Sequence, residues 1–407
     1  MEHEIRTIAG EELEEFRRCQ ALAFGNEYNG EHLEMGRQIF EFDRNLAAIV
    51  EERIVGTAGI FTTEMSVPGG SLPVAAVTMV SVKPTHRRQG IVSGLMRQQL
   101  EQVRDRGEAL AALWASESSI YGRFGYGIAI QMEMLDIPRA YTAMRSDLAT
   151  GAGKLRLLSV DEAKEKLPPL HEALRKARPG ELARPQKWWD VRVFPDHADW
   201  REGYTSNNYL VYEGALGLEG YARYRTKSHF EDWLPSGKLR VSELHASTPD
   251  ALVGLWRYLF GVDLIGTIDR EVGEMDEPLL AMLVDSRRVK RRRIDAIWLR
   301  IVDVEKALSG RALGSEGRVT FEVVDRFLDG AGGRFELEGG PGGAVCRRSS
   351  KEPEFVLGPE ELAQVYLGGG RLATLYRVGR VQGDLAAIAR ADAMLGWSVL
   401  PHCQEHF

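Results

Sequence analysis

Cysteine is scarce in this 407-residue chain: Cys19, Cys346 and Cys403 stand far apart and make no CxxC pair. An odd number leaves one thiol over in any pairing, so neither a disulfide framework nor a structural zinc site is expected, and no metal is invoked. Apolar runs long enough to cross a bilayer are missing as well, and the start, MEHEIRTIAGEELEEF, lacks the basic and apolar regions of a secretion signal. The expectation is a cytoplasmic protein with no membrane partner. Positive charge is in deficit, with a net charge of -7, which argues against a nucleic-acid partner and for a cationic one. The dense exception, Arg287 to Arg293, has six basic residues in seven and reads as a solvated face at a domain junction.

What the chain does have is length for two or three domains, with 44% hydrophobic and 27% charged residues, the balance of a globular protein. Its most specific stretch is VTMVSVKPTHRRQGIVSGLMRQQL, Val77 to Leu100. From Val77 to Val82 the pattern has period two, so a strand is expected with Val77, Met79 and Ser81 on one face and Thr78, Val80 and Val82 on the other. Pro84 ends it, and the polar residues up to Gly90 turn the chain. Beyond Gly90 the period becomes 3.6: Ile91, Val92, Leu95, Met96, Leu100 and Val103 line one side of an amphipathic helix. A strand, a basic glycine-containing turn and a helix start together make an anion site, because the first helical N–H groups have no intrahelical partner and lie at the positive end of the dipole. Gly90 lets the backbone come close, while Arg87 and Arg88 add charge.

Leu110 to Ser116 reads as a buried strand parallel to the first, which makes Val77 to Ser116 a βαβ unit. Earlier in the chain, a helix is expected over Glu11 to Phe24 and a hairpin over Leu46 to Phe61 turning at Glu51 and Glu52. Glu117 to Ile130, rich in glycine and aromatics, reads as a loop near a ligand. The first domain is expected to end near Pro138, with Ala149 to Gly153 as linker. In the middle, a helix over Asp161 to Ala177 is interrupted by Pro168 and Pro169, and Trp188, Trp189 and Trp200 read as packing residues. Three antiparallel strands end near His245, after which Thr248 and Pro249 open a second amphipathic helix. Ile297 to Val302 starts a third segment of glycine-separated strands and short helices.

The Val77 to Leu100 stretch resembles motif A of the GCN5-related N-acetyltransferases, whose loop reads Gln/Arg-x-x-Gly-x-Gly/Ala: Arg87 and Gly90 match, and Val92 stands at the last position. With VSVKPTHRRQG, ASESSIYGRFGYG, LARPQKWWD, VSELHA, IWLRIVDV, ELAQVYLGG and the final phenylalanine, the whole chain resembles the Eis (enhanced intracellular survival) family of acetyltransferases. The resemblance implies a mixed α/β fold: an active acetyltransferase domain over 1–145, a degenerate one over 152–294, and a sterol-carrier-like domain over 295–407. The second helix start, Ala246 to Asp250, has neither glycine nor arginine and adds a carboxylate, so this copy is not expected to bind the cofactor.

The resemblance also implies that acetyl-CoA places its pyrophosphate on the backbone amides of Arg88, Gln89, Gly90, Ile91, Val92 and Ser93. Its pantetheine arm would pair with Val80, Ser81 and Val82, and Ser116 and Glu117 follow as further contacts. Acetyl transfer to an amine needs a polarised carbonyl, an uncharged nucleophile and a proton for the departing thiolate. Tyr121 and Tyr126 both suit the last task, since a phenol with a pKa of about 10 is protonated at neutral pH. The family pattern selects Tyr121. It also brings in the α-carboxylate of Phe407, where local sequence offers only His86, His402 and His406. Glu27 and Glu405 are candidates to line the amine pocket. The implied substrates are cationic multi-amine molecules such as aminoglycosides, and the implied assembly is a hexamer. Protein lysine acetylation and an apolar-ligand carrier built on the last domain are the alternatives.

Overall fold

The computed structural model describes residues 3–148 and 151–407, so Ala149 and Thr150 of the expected linker lie outside the described residues. The chain forms two compact units, one of Met1–Ile130, Arg178–Ala183 and Ala296–Phe407, the other of Gln131–Ala177 and Arg184–Asp295.

The first unit carries a seven-stranded mixed sheet. Its strands are β1 (Glu4–Thr7), β2 (Leu46–Val50), β3 (Arg53–Val67), β4 (Gly70–Val82), β5 (Leu110–Trp114) and β6 (Gly127–Ile128), with Ile297–Ile301 inserted between β5 and β6. Its helices are α1 (Leu13–Ala23), α2 (Leu33–Arg37), α3 (Ile91–Asp105) and α4 (Ser118–Tyr121). The hairpin of β2 and β3 turns at Glu51 and Glu52, both at positive φ. β4 and β5 run parallel, from Val74 opposite Leu110 to Val77 opposite Leu113. α3 buries Ile91, Leu95, Met96, Leu100 and Val103, the residues its period selects, together with Gln99, whose amide donates to the Gly59 carbonyl. The α3 side of the sheet makes one apolar core, and Phe16 and Cys19 of α1 join a second with Ile54 and Met79.

Inside β4 the simple alternation fails. Met79 adopts φ +54°, and the register against β3 slips between Thr57 and Gly59. This is a bulge, and one extra residue exchanges the two faces of a strand. Val77 and Val82 therefore join the α3-side core while Met79 packs on the α1 side.

Two strands correct the expected segmentation. Gln131–Pro138 does not close the first sheet; it pairs with Ile265–Gly273 and Lys290–Asp295 in the second unit's sheet. Ile297–Ile301 does not open a third sheet; it pairs antiparallel with β5 and β6. The second sheet runs Lys290–Asp295, Gln131–Pro138, Ile265–Gly273, Gly237–Ala246, Gly217–Lys227, Asn208–Gly214, Lys154–Leu158. The basic run forms its exposed edge strand, where Arg291 and Arg293 meet the buried carboxylate of Glu133, and charged side chains of this kind discourage edge-to-edge pairing.

The helix Val160–Arg175 passes through Pro168 and Pro169 without a break. Interior proline costs about 3 kcal/mol, and burial of Leu167 and Leu170 on either side of the pair holds the helix against that penalty. Trp188 and Trp189 are buried, but Trp200 is 41% exposed and lies against His197 rather than in the core. A five-stranded sheet over Gly317–Gly383, with the helices Pro359–Tyr366, Leu372–Arg377 and Leu385–Leu395, completes the first unit.

Candidate functional site

The bulge at Met79 has a direct consequence for β4. Pairing with β5 stops at Val77 and Leu113, so the two parallel strands part and Val80, Ser81 and Val82 run on without β5 beside them. The Lys83 amide donates to the Val55 carbonyl at 2.8 Å, and Ser81 stands opposite Thr57, which assigns the odd positions to β3. Strand alternation then turns the amides of Val80 and Val82 toward the gap. The Thr57 hydroxyl fixes the bulge by donating to the Met79 carbonyl at 2.6 Å, with the Ser81 hydroxyl 2.7 Å away.

The gap leads to the start of α3. Gly90 is its N-cap at φ +83°, no side chain caps the helix, and a Cβ built on Gly90 would meet nothing within 4 Å. Arg88 also has positive φ, +63°, a conformation that non-glycine residues adopt at a cost. Arg88, Gln89 and Gly90 are exposed, Ile91 is buried, and Val92 and Ser93 are half-buried, with Val92 packed on the core. Arg87 is used differently from the expectation that it adds charge to the cradle. Its Nη2 donates to the Ala23 carbonyl at 2.8 Å and its Nε to the Val82 carbonyl at 3.3 Å, pinning the turn to the end of α1. An uncapped helix start, a glycine with open space before it and a free-running strand edge fit a long ligand with a diphosphate and an amide-bearing arm.

Past the end of β5, Ser116 and Glu117 are exposed, and Glu117 is the N-cap residue of α4. The stretch from Glu117 is therefore a short helix and a 3-10 turn rather than the open loop its glycines suggested. α4 ends on Tyr121, only 4% exposed. Burial pushes the Tyr121 phenol up, a hydrogen bond with Ser116 pulls it down, and Glu117 raises it further. Tyr126 packs edge-on to Tyr121 at 6.1 Å, is fully buried, and its hydroxyl has no hydrogen-bond partner among the described residues. Burial raises the Tyr126 phenol strongly, against a pull from Arg300.

The chain's final residues arrive at the same strand end. The Trp114 indole donates to the Glu405 carbonyl at 2.9 Å and its ring lies 4.9 Å from that of His406. Phe407 is 7% exposed. Glu405 is half-buried, Glu27 is exposed in the loop after α1, and His86 bonds Thr85 in the turn before Gly90. Sequence reasoning missed Trp114, which looked like part of an apolar strand. An indole closing a run of small aliphatics was the available signal.

In the second unit the corresponding helix start is already filled. Thr248 Oγ1 accepts from the Ala251 amide at 3.2 Å and donates to Glu219 at 2.8 Å, which sets a carboxylate where a phosphate would lie. His171, Glu243 and His245 in the same unit bring ligand atoms within 4.8 Å of one another. Arg184 lies 2.8 Å and Arg223 3.6 Å from the Glu243 carboxylate, so a cation there would face two guanidinium groups.

Residues 4–129 and 180–301 each match the family described as acetyltransferase (GNAT) domain, and residues 304–404 match the sterol carrier protein domain. An uncharacterized N-acetyltransferase of Streptomyces avermitilis is 36% identical over 91% of this chain and 92% of its own. The N-acetyltransferase Eis of Mycobacterium bovis is 34% identical over 84% of this chain and 82% of its own. The crystal structure of Eis1 from Mycobacterium abscessus superposes with a TM-score of 0.86 at 31% identity, covering all of both chains.

The forked sheet, the helix start and these matches define an acetyl-CoA-using N-acetyltransferase with tandem acetyltransferase domains and a sterol-carrier-like domain. Within that class the chain belongs to the Eis family.

Proposed function

We propose that this enzyme moves the acetyl group of acetyl-CoA onto amines of cationic multi-amine small molecules such as aminoglycosides. One observation carries the assignment of the site: the uncapped, glycine-led start of α3 lies at the end of a strand edge that β5 has left, and the strand leading to Tyr121 forms the other arm of the fork. In this reading the amides of Arg88 to Ser93 hold the diphosphate, and Val80, Ser81 and Val82 pair with the pantetheine arm. Ser116 and Glu117 add contacts near the sulfur end.

The amide of Val82 polarises the thioester carbonyl. As the amine nitrogen forms the C–N bond and the C–S bond breaks, Tyr121 gives its proton to the departing sulfur. Before that attack the α-carboxylate of Phe407 orients the substrate ammonium and takes one proton from it; the second nitrogen proton, released once the C–N bond has formed, returns to the Tyr121 phenolate. The net charge of -7 and the carboxylates Glu27 and Glu405 favour a cationic acceptor. We further assign catalysis to residues 1–145, a supporting role to 152–294 and delivery of the terminus to 295–407, in a cytoplasmic homohexamer.

A panel of aminoglycosides, polyamines and lysine peptides incubated with acetyl-CoA, read by free-thiol release and mass spectrometry, tests the reading. Acetylation confined to peptide lysine overturns the substrate class; no thiol release with any amine overturns the site.

A further inference from the structure

The segment Arg178–Ala183 interrupts the second unit's sequence yet belongs to the first. It lies along β3: Gly180 N donates to the Ser66 carbonyl at 2.7 Å, Ser66 N to the Glu181 carbonyl at 2.8 Å, and Ala183 N to the Glu64 carbonyl at 2.8 Å. Its other side holds the chain's last segment. His402 N donates to the Pro179 carbonyl at 2.9 Å, Arg178 Nη1 to the Leu400 carbonyl at 2.9 Å, and Gln404 N to a Glu181 carboxylate oxygen at 3.5 Å. Glu181 thus spends its backbone on the sheet and its side chain on the tail.

Gly180 is a point of close approach between the two runs. It has φ +97°, and a Cβ there would lie 2.5 Å from the His402 carbonyl oxygen and would also overlap Ile130. Pro401, His402, Cys403 and Gln404 are buried along this contact, and Phe407 is the third residue beyond Gln404. Three extended residues span about 10 Å at most, so anchoring Gln404 on one side and the Glu405 carbonyl on Trp114 leaves the terminus little room to wander.

We infer that Arg178–Ala183 is a strap that fixes the C-terminal tail at the exit of β5, with Gly180 and Glu181 as positioning residues for Phe407. The fixing of the tail stands on the contacts above; its effect on turnover rests on the proposed role of the terminal carboxylate.

Cys403 gives a readout independent of activity. Its thiol lies in the strapped tail, where it donates to the Glu405 carbonyl at 3.4 Å, while Cys19 and Cys346 are buried elsewhere in the same unit, and none of the three forms a disulfide among the described residues. In the full-length protein, alkylation with iodoacetamide followed by peptide mass spectrometry reports each thiol separately. Gly180→Ala is expected to raise the labelling rate of Cys403 at least tenfold and leave Cys19 and Cys346 as slow as in the wild type. Glu181→Ala is expected to act in the same direction, and Glu181→Gln, which keeps an acceptor for Gln404 N, much less. Turnover in Gly180→Ala should fall to about the level of a Phe407 deletion, with acetyl-CoA affinity unchanged, and the combined variant should be no worse than either. Unchanged Cys403 labelling in both Gly180→Ala and Glu181→Ala overturns the strap. Faster Cys403 labelling with undiminished turnover upholds the strap and overturns the role given to Phe407.

Discussion

The Thr57 hydroxyl donates to the Met79 carbonyl at 2.6 Å across β3 and β4, and that one bond sits on the residue whose φ of +54° drives the strands apart. Thr57→Val keeps the shape and removes the donor, leaving a buried carbonyl short of a partner. We expect a loss of about 1–2 kcal/mol in denaturant unfolding and, because the fork is the proposed ligand channel, a several-fold weaker acetyl-CoA affinity by calorimetry. Unfolding affected with affinity intact would detach the bulge from binding.

Gly90→Ala separates backbone conformation from steric blockade, since the added methyl meets nothing within 4 Å. The left-handed conformation costs a non-glycine residue about 1–2 kcal/mol. That penalty should show in thermal unfolding of the free enzyme, together with weaker binding of acetyl-CoA and of CoA alone.

Tyr121→Phe removes the proposed acid without changing packing. A loss of about 10²–10⁴-fold in kcat is the range for a positioned acid, with the KM for acetyl-CoA little altered. Because burial raises the Tyr121 phenol, the alkaline fall in kcat that belongs to its deprotonation should lie above the ordinary phenol range. Removing the Ser116 hydroxyl, which pulls the other way, should shift that limb further up. A pH profile of Ser116→Ala checks the sign.

Glu243 predicts the acid sensitivity of the second unit. Burial would push its carboxyl up, but Arg184, a hydrogen bond with His245, and Arg223 outweigh that and hold it well below the usual range. A carboxylate depressed in the folded state stabilises fully above its unfolded pKa of about 4.3, and the contribution drains away as the pH falls below that point. The melting temperature should therefore drop between about pH 5 and pH 3, and Glu243→Gln should show a flatter dependence over the same window, read by calorimetry.

Between the sheet and helices of the sterol-carrier-like domain, the apolar space lined by Val319, Phe321, Leu337, Leu357 and Leu395 among others leaves a cavity of only about 10 Å³, about the room one water needs. Ligand pockets run from about 300 to 1,000 Å³. The full-length protein is thus expected not to enhance the fluorescence of an apolar probe; saturable enhancement would revive the carrier alternative.

The strand, turn and helix of the anion cradle were readable because period, proline and glycine all act locally there. The hairpin at Glu51 and the cap at Thr248 were legible for the same reason. The bulge at Met79 was not, because its cause is a hydroxyl on a neighbouring strand. The exchange of Gln131–Pro138 and Ile297–Ile301 between sheets leaves no mark either, since a strand's own pattern records that a face is buried and not which sheet buries it. Helix continuity at Pro168 depends on the tertiary burial of the helix's own Leu167 and Leu170, and the strap has no periodicity because it is six residues of irregular backbone.

The partner that completes β5 is the strand Ile297–Ile301, far down the chain. On the ribosome, the edge of β5 accordingly waits, with its backbone groups unmatched, until roughly three quarters of the polypeptide has been made. Until then the nascent protein carries an aggregation-prone border.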